Sequence, residues 1–142
     1  MSNRNEPITN PALKQAMERL HKGQHSREEQ MVTLQLLLQA QLLAPVSVTQ
    51  GKGDAQIHFQ LLNTQDERAF FPAFTDLEEL RKCFDKPEQQ TLVLAFADYA
   101  RMILKDKSAQ GLVVNPLGNS LTLEQSLVEF LDKVQKEEAK KE

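Results

Sequence analysis

His21 and His25 stand four residues apart, the spacing that puts two imidazoles on one helix face for a metal ion. Gly23 interrupts the helix that would align them, and neither the glutamate of a zinc-protease pattern nor a further ligand accompanies them. The segment therefore reads as a loop between helices, and no metal or cofactor is expected. His58 lies between Ile57 and Phe59 in an alternating run, so it faces away from them, toward solvent or a partner. Cys83 is the only thiol, which excludes an intrachain disulfide. Arg81 and Lys82 favour its thiolate, but a place near a helix C-terminus opposes negative charge, so it reads as a small, half-buried residue. Gly51-Lys52-Gly53-Asp54 lacks the spacing, the Lys-Ser/Thr end and the following helix of a phosphate loop. It reads as a hairpin turn.

The junctions between apolar runs and amphipathic segments carry the remaining polar candidates, because α/β sheets bind ligands outside the carboxyl ends of their strands. They hold Thr75-Asp76, Asp98 and residues 115–120. Acidic caps repel phosphate at a helix N-terminus, which disfavours nucleotides. A pocket around Asp98, Asn115 and Asn119 for a neutral or cationic small molecule is one reading; the other makes Asn115-Pro116 a structural turn with a fixed exit. Phe70, Phe71 and Phe74 form a different kind of candidate. Alternation puts Phe70 and Phe71 on opposite faces of a strand, so one reading leaves at least one ring partly covered to anchor a partner protein, and the default reading packs the rings in the core.

The elements that position these residues follow from periodicity and caps. Residues 1–9 read as a loose leader. A helix starts with Asn10 as its cap and Pro11 at the first position, buries Leu13, Met17 and Leu20, and stops at Gly23. Ser26 and Glu29 form a capping box before a second helix, whose broad stripe from Met31 to Leu43 is expected to lie across a sheet until Pro45 ends it. Residues 46–48 and 56–61 alternate around the glycine turn as a hairpin, and residues 69–73 form a third strand. Three strand–helix units follow. Helices are expected over 75–84 (capped by Thr75 with Glu78), 97–105 and 122–135 (opened by Thr122 with Gln125), after strands at 69–73, 91–95 and 111–114. In the last helix Leu127, Phe130, Leu131 and Val134 are spaced for burial, and residues 137–142 read as a frayed charged tail.

The fold class is thus α+β: a mixed sheet of about five strands, two N-terminal helices and three short helices following strands, with one domain over residues 10–136. A chain of 142 residues with 40% hydrophobic and 26% charged residues suits a single globular core. A net charge of -3 with interspersed signs gives no attraction for phosphate backbones, so no nucleic-acid partner is expected. The longest apolar stretch is broken by Gln35, Gln39, Gln41 and Pro45, so no membrane span is expected either. With no secretory leader pattern and a lone thiol, a cytoplasmic location is expected.

Phe71-Pro72-Ala73-Phe74-Thr75 before a short helix, and Gly111-Leu112-Val113-Val114-Asn115-Pro116 before the last one, resemble the N-terminal domain of the SseB family, named for enhanced serine sensitivity. Leu43-Ala44-Pro45-Val46 matches that family's entry into its first strand, and the resemblance spans about residues 10–135. It implies no enzymatic activity, cofactor or catalytic residues. Longer family members carry a second, C-terminal domain. The leading expectation is a non-catalytic protein-interaction module; the alternatives are the small-molecule pocket described above and a self-associating protein, a homo-oligomer joined through exposed apolar area.

Overall fold

The computed structural model describes residues 8–23, 26–51, 53–106 and 109–140. Its elements are α1 (Pro11–His21), α2 (Arg27–Gln39), β1 (Gln41–Gln50), β2 (Ala55–Phe59), β3 (Leu62–Asn63), β4 (Ala69–Ala73), α3 (Leu77–Cys83), β5 (Gln90–Ala95), α4 (Phe96–Asp106), β6 (Gly111–Val114), β7 (Leu121–Glu124) and α5 (Gln125–Lys140). The α+β class stands. The strands, however, number seven and form two sheets, ordered β2-β1-β5 and β3-β4-β6-β7. Among the described strands, only β4 and β6 pair in parallel.

The two sheets touch through one antiparallel bridge, in which Leu43 and Phe74 exchange backbone hydrogen bonds of 2.8 and 3.0 Å. Beyond that bridge β1 and β4 diverge. Into the fork come β2, paired with β1, and β3, paired with β4. Two prolines explain the split. Alternate residues of a strand direct their N–H groups to opposite neighbours. On β1, Leu43 bonds to β4 and the Pro45 carbonyl accepts from Gln60 N–H, so Pro45 turns its missing donor toward the fork. On β4, Phe74 bonds to β1 and Phe70 pairs with β3, so Pro72 between them also faces the fork. Prolines are tolerated in sheets where no ladder bond is required of them. The buried Tyr99 hydroxyl reaches the same place and donates to the Pro72 carbonyl at 3.3 Å. Its ring meets Phe71 edge-on, and Phe71 meets Phe59.

One face of this sheet pair carries the main core: Leu42, Ala44, Phe71, Ala73, Leu112, Val114 and Leu123 against α1, α2, α4 and α5. The opposite face carries a smaller cluster of Leu43, Phe74 and Leu80, with Phe84, Cys83 and Ile8 packed on it. Ile8 therefore belongs to the fold although residues 1–9 read as a leader; residues 1–7 lie outside the described part.

Several boundaries differ from the sequence reading, each for a physical reason. Helix α2 stops at Gln39, and residues 41–44 are strand: Ala44 precedes a proline, which disfavours helical backbone there, and residues 42–44 are buried on both faces. Asp76, not Thr75, caps α3, its carboxylate accepting from Glu79 N–H at 2.9 Å. Residues 121–124 are a strand paired with β6, and α5 begins at Gln125. Val128, not Phe130, then takes the inward position, leaving Phe130 61% exposed. At its other end α5 continues to Lys140, past the expected fraying point at Lys136. Its last turns carry i,i+4 pairs such as Lys136 with Asp132. No described helix is long and apolar enough to cross a membrane.

Candidate functional site

The densest polar cluster lies where β4 and β6 end. Asn115, 3% exposed, leaves β6 with a left-handed φ of 50°. Its Oδ1 accepts from the Thr75 N–H (3.1 Å) and its Nδ2 donates to the Thr75 hydroxyl (3.0 Å), while its own N–H donates to the Ala73 carbonyl (2.8 Å). Asn115 thus staples the exit of β6 to the exit of β4, and asparagine suits the left-handed backbone because its short amide can bond locally. Asp76 joins the cluster through the Thr75 hydroxyl at 3.1 Å and Lys14 Nζ at 3.0 Å. Asn10 caps nothing with its side chain; Nδ2 instead ties the Gln41 and Thr75 carbonyls together at 2.9 and 2.7 Å.

Glu79, 6% exposed, turns inward from α3. Lys82 (2.9 Å) and Lys14 (3.5 Å) hold its Oε2, while Oε1 has no hydrogen-bond partner among the described residues. Gly118 packs directly on that oxygen: a β-carbon there would lie 2.4 Å from Oε1. The cluster is filled.

The three pocket candidates do not converge. Asn115 is consumed by the staple and Asn119 is exposed. Asp98 follows a strand of the other sheet, where its carboxylate accepts from the Ala95 N–H (2.9 Å) and faces Arg101 at 3.7 Å. None of the three lines any of the molecule's three described clefts.

The aromatic candidates are covered as well. Phe70, Phe71 and Phe74 are 4%, 9% and 0% exposed, so the partly bare ring expected from alternation is not found. Alternation does separate Phe70 from Phe71, but both faces of β4 are packed. The Arg68 guanidinium lies 5.2 Å from the Phe70 ring centre, and Phe84 meets Phe74 edge-on.

The other sequence candidates serve the backbone or stand apart. His21 donates to the Ser120 carbonyl at 2.7 Å, and His25 lies outside the described residues. His58 pairs with the Thr49 hydroxyl on the exposed hairpin at 3.0 Å. Burial pushes the Cys83 thiol up against the opposing effect of a Leu117 N–H, which disfavours its thiolate. Burial likewise pushes the Tyr99 phenol far up. Among the described residues no group of three or more His, Cys, Asp or Glu side chains is placed to hold a metal.

The two roomier clefts are mostly apolar, whereas a third, of about 350 Å³, is lined by Arg101, Lys105, Asp132 and Lys136. Between α2 and α5 runs a cleft of about 420 Å³, lined by Met31, Leu34, Leu38, Phe130 and Val134 together with three glutamines and a single charged residue, Glu138. Leu34 also lines a second cleft of about 450 Å³, which continues toward Leu20, Leu121 and Leu127. Met31, Val32 and Phe130 are 54%, 43% and 61% exposed. The reading that placed the α2 stripe across a sheet did not anticipate this groove. A signal existed: residues 30–39 contain no charge and are apolar on every side, more than one buried face requires.

The family model of the SseB protein N-terminal domain matches residues 13–129, most of the chain. The chain belongs to this family. The match includes both halves of the staple, Thr75 and Asn115, and the α2 wall of the groove, and ends just before Phe130. Among curated proteins and solved structures the chain finds no match. In this SseB domain Asn115 ties the exit of β6 to that of β4, the strand that carries Pro72.

Proposed function

We propose that this SseB domain is a non-catalytic, cytoplasmic interaction module that receives another protein in the groove between α2 and α5. The observation that carries the reading is the pairing of Phe130 with Met31 as the most exposed aromatic and aliphatic side chains lining one cleft. A bare aromatic ring beside a flexible thioether, with glutamines around them, has the composition of a recognition surface: apolar at its centre, poor in charge and polar at its rim. Two neighbouring helices forming such a groove suit an amphipathic helix that inserts its apolar stripe. The non-catalytic part is supported by how the acidic and amide groups are used. Asp76 and Asp98 hold backbone amides at helix starts, and Asn115 joins two strands.

The test is affinity capture with the wild-type chain and with Phe130→Asp and Met31→Glu, each checked for unchanged circular dichroism. Loss in both variants of a protein that the wild type retains supports the groove. Identical retention by all three removes it.

A further inference from the structure

We infer, building on the groove proposed above, that its occupant is a helix of about three turns with an acidic residue at one end of its apolar stripe and a basic residue at the other. The groove is longer than the cleft around Phe130. That cleft and the one reaching Leu20, Leu121 and Leu127 share Leu34, so they form one trough. Its two walls run in the same direction. Leu127 lines the trough beside Gln30 and Leu34, Gln135 Nε2 donates to the Leu38 carbonyl at 3.0 Å, and Glu138 lines it beside Gln39. From Leu127 to Glu138 α5 rises about 16 Å, the length of three helical turns.

Backbone accounting selects a helix for this place. The walls are helices whose N–H and C=O groups are spent on their own turns, so they offer no ladder to an extended peptide. An occupant must satisfy its own backbone, which a helix does.

The two ends of the trough carry opposite charge. Glu138 follows Val134 by four residues and Leu131 by seven, so it closes the α5 stripe, and no other Asp, Glu, Lys or Arg lines either cleft. Arg27 precedes Met31 by four and Leu34 by seven, so it heads the α2 stripe at the opposite end. Both side chains are exposed, and neither makes an ion pair among the described residues. Neighbouring cations are engaged: Arg19 by Glu29 at 3.1 Å, Lys133 by Glu129 at 3.4 Å and Lys136 by Asp132 at 3.0 Å. Glu28 precedes Val32 by four, which puts it on the outer flank of α2, since Val32 lines neither cleft. The helix dipoles add to the same polarity, because parallel α2 and α5 set both positive N-termini at the Arg27 end and both negative C-termini at the Glu138 end. A partner gains most by laying a carboxylate over Arg27 and a cation over Glu138. A helix with the usual acidic first turn and basic last turn meets both when it lies parallel to α2 and α5.

Sedimentation of the full chain alone comes first: a monomer is expected, and a dimer that Phe130→Asp dissolves assigns the trough to a second copy and overturns the proposal. The probes are then three stapled helical peptides of about fourteen residues, alike in their leucine stripe and different only at their ends. One carries Glu first and Lys last, one Glu at both ends, one Lys at both. By fluorescence anisotropy the wild type should bind the mixed probe about threefold more tightly than either of the others, the scale of an exposed ion pair. Glu138→Lys should move the preference to the probe with two Glu, and Arg27→Glu to the probe with two Lys. Phe130→Asp should weaken all three by about tenfold, as loss of a central aromatic anchor does. Equal affinity of the wild type for the three probes, or a preference that Glu138→Lys leaves unmoved, overturns the polarity while the groove itself stands. Probe binding untouched by Phe130→Asp overturns the groove as well, and failure of all three probes to bind overturns the helix.

Discussion

At the junction around Asn115, polar atoms are dense and space is absent; along the α2–α5 groove, space is ample and most of the lining is apolar. The junction holds the residue types that suggest chemistry, yet each is engaged by a neighbour within the domain. The groove holds residue types that suggest a core, yet Met31 and Phe130 lie bare. The contrast teaches that polar density at strand ends can measure how much backbone must be secured where two strands leave a sheet. Leftover apolar surface is the more direct sign of contact with something else.

If the β4–β6 side is a rigid frame, its closest backbone approaches must tolerate least change. Gly111 is the extreme case: a β-carbon would lie 1.9 Å from the Leu123 carbonyl oxygen, inside the β6–β7 pair. Gly111→Ala should destabilise the fold by about 3 kcal/mol or more, read from urea unfolding; a loss below about 1 kcal/mol breaks the picture of a tight frame. Asn115→Ala comes next. It strands the buried Thr75 N–H and puts alanine at a positive φ, together costing about 2–3 kcal/mol. Asn115→Gly should recover only the backbone part, so a glycine variant as stable as the wild type would deny the staple its role.

Asp76 sharpens the comparison through pH. Burial opposes its ionisation, but the Glu79 N–H and the Lys14 ammonium outweigh burial and hold its carboxyl below the ordinary value of 3.8. Folding thus favours the ionised form. The stabilisation is complete above the ordinary value and is lost as pH falls through the lower folded one. Acid titration of unfolding should show this loss in the wild type and a shallower one in Asp76→Asn. Identical acid profiles would mean that the carboxylate does not support the junction. The smallest effect belongs to the groove: Phe130→Asp should change stability by no more than about 0.5 kcal/mol, because the ring contributes little to the core. A large loss of thermal stability would show that Phe130 is structural after all, and the two regions would cease to differ.

Much of the fold was legible because local signals agreed with tertiary demands. Pro11 at a helix start, Gly23 at φ 93°, Ser26 accepting from Glu29 N–H, and strands at 69–73 and 111–114 all lie where caps and apolar runs put them. Glu29 departs from its half of the capping box because Arg19, 3.1 Å away, takes its carboxylate. The misses share one cause. Residues 41–44 and 121–124 extend an adjoining helical pattern, and only pairing with distant strands makes them extended. The candidate site failed for a related reason. Asp98 and Asn115 both follow strands, but sequence order does not reveal that those strands belong to different sheets. The groove was hidden because an apolar side chain at helical spacing looks the same whether its own chain covers it or not.

The fork at Pro45 and Pro72 also acts as a ratchet on strand alignment. If β1 rotated by one residue, the Pro45 ring would swing toward β5, where whichever of the inward-facing Leu92 and Gln90 carbonyls then stood opposite it would find no hydrogen. The same rotation of β4 would turn Pro72 against β6. Each ring is harmless in one alignment and obstructive in the next, so neither arm can settle a notch out of place.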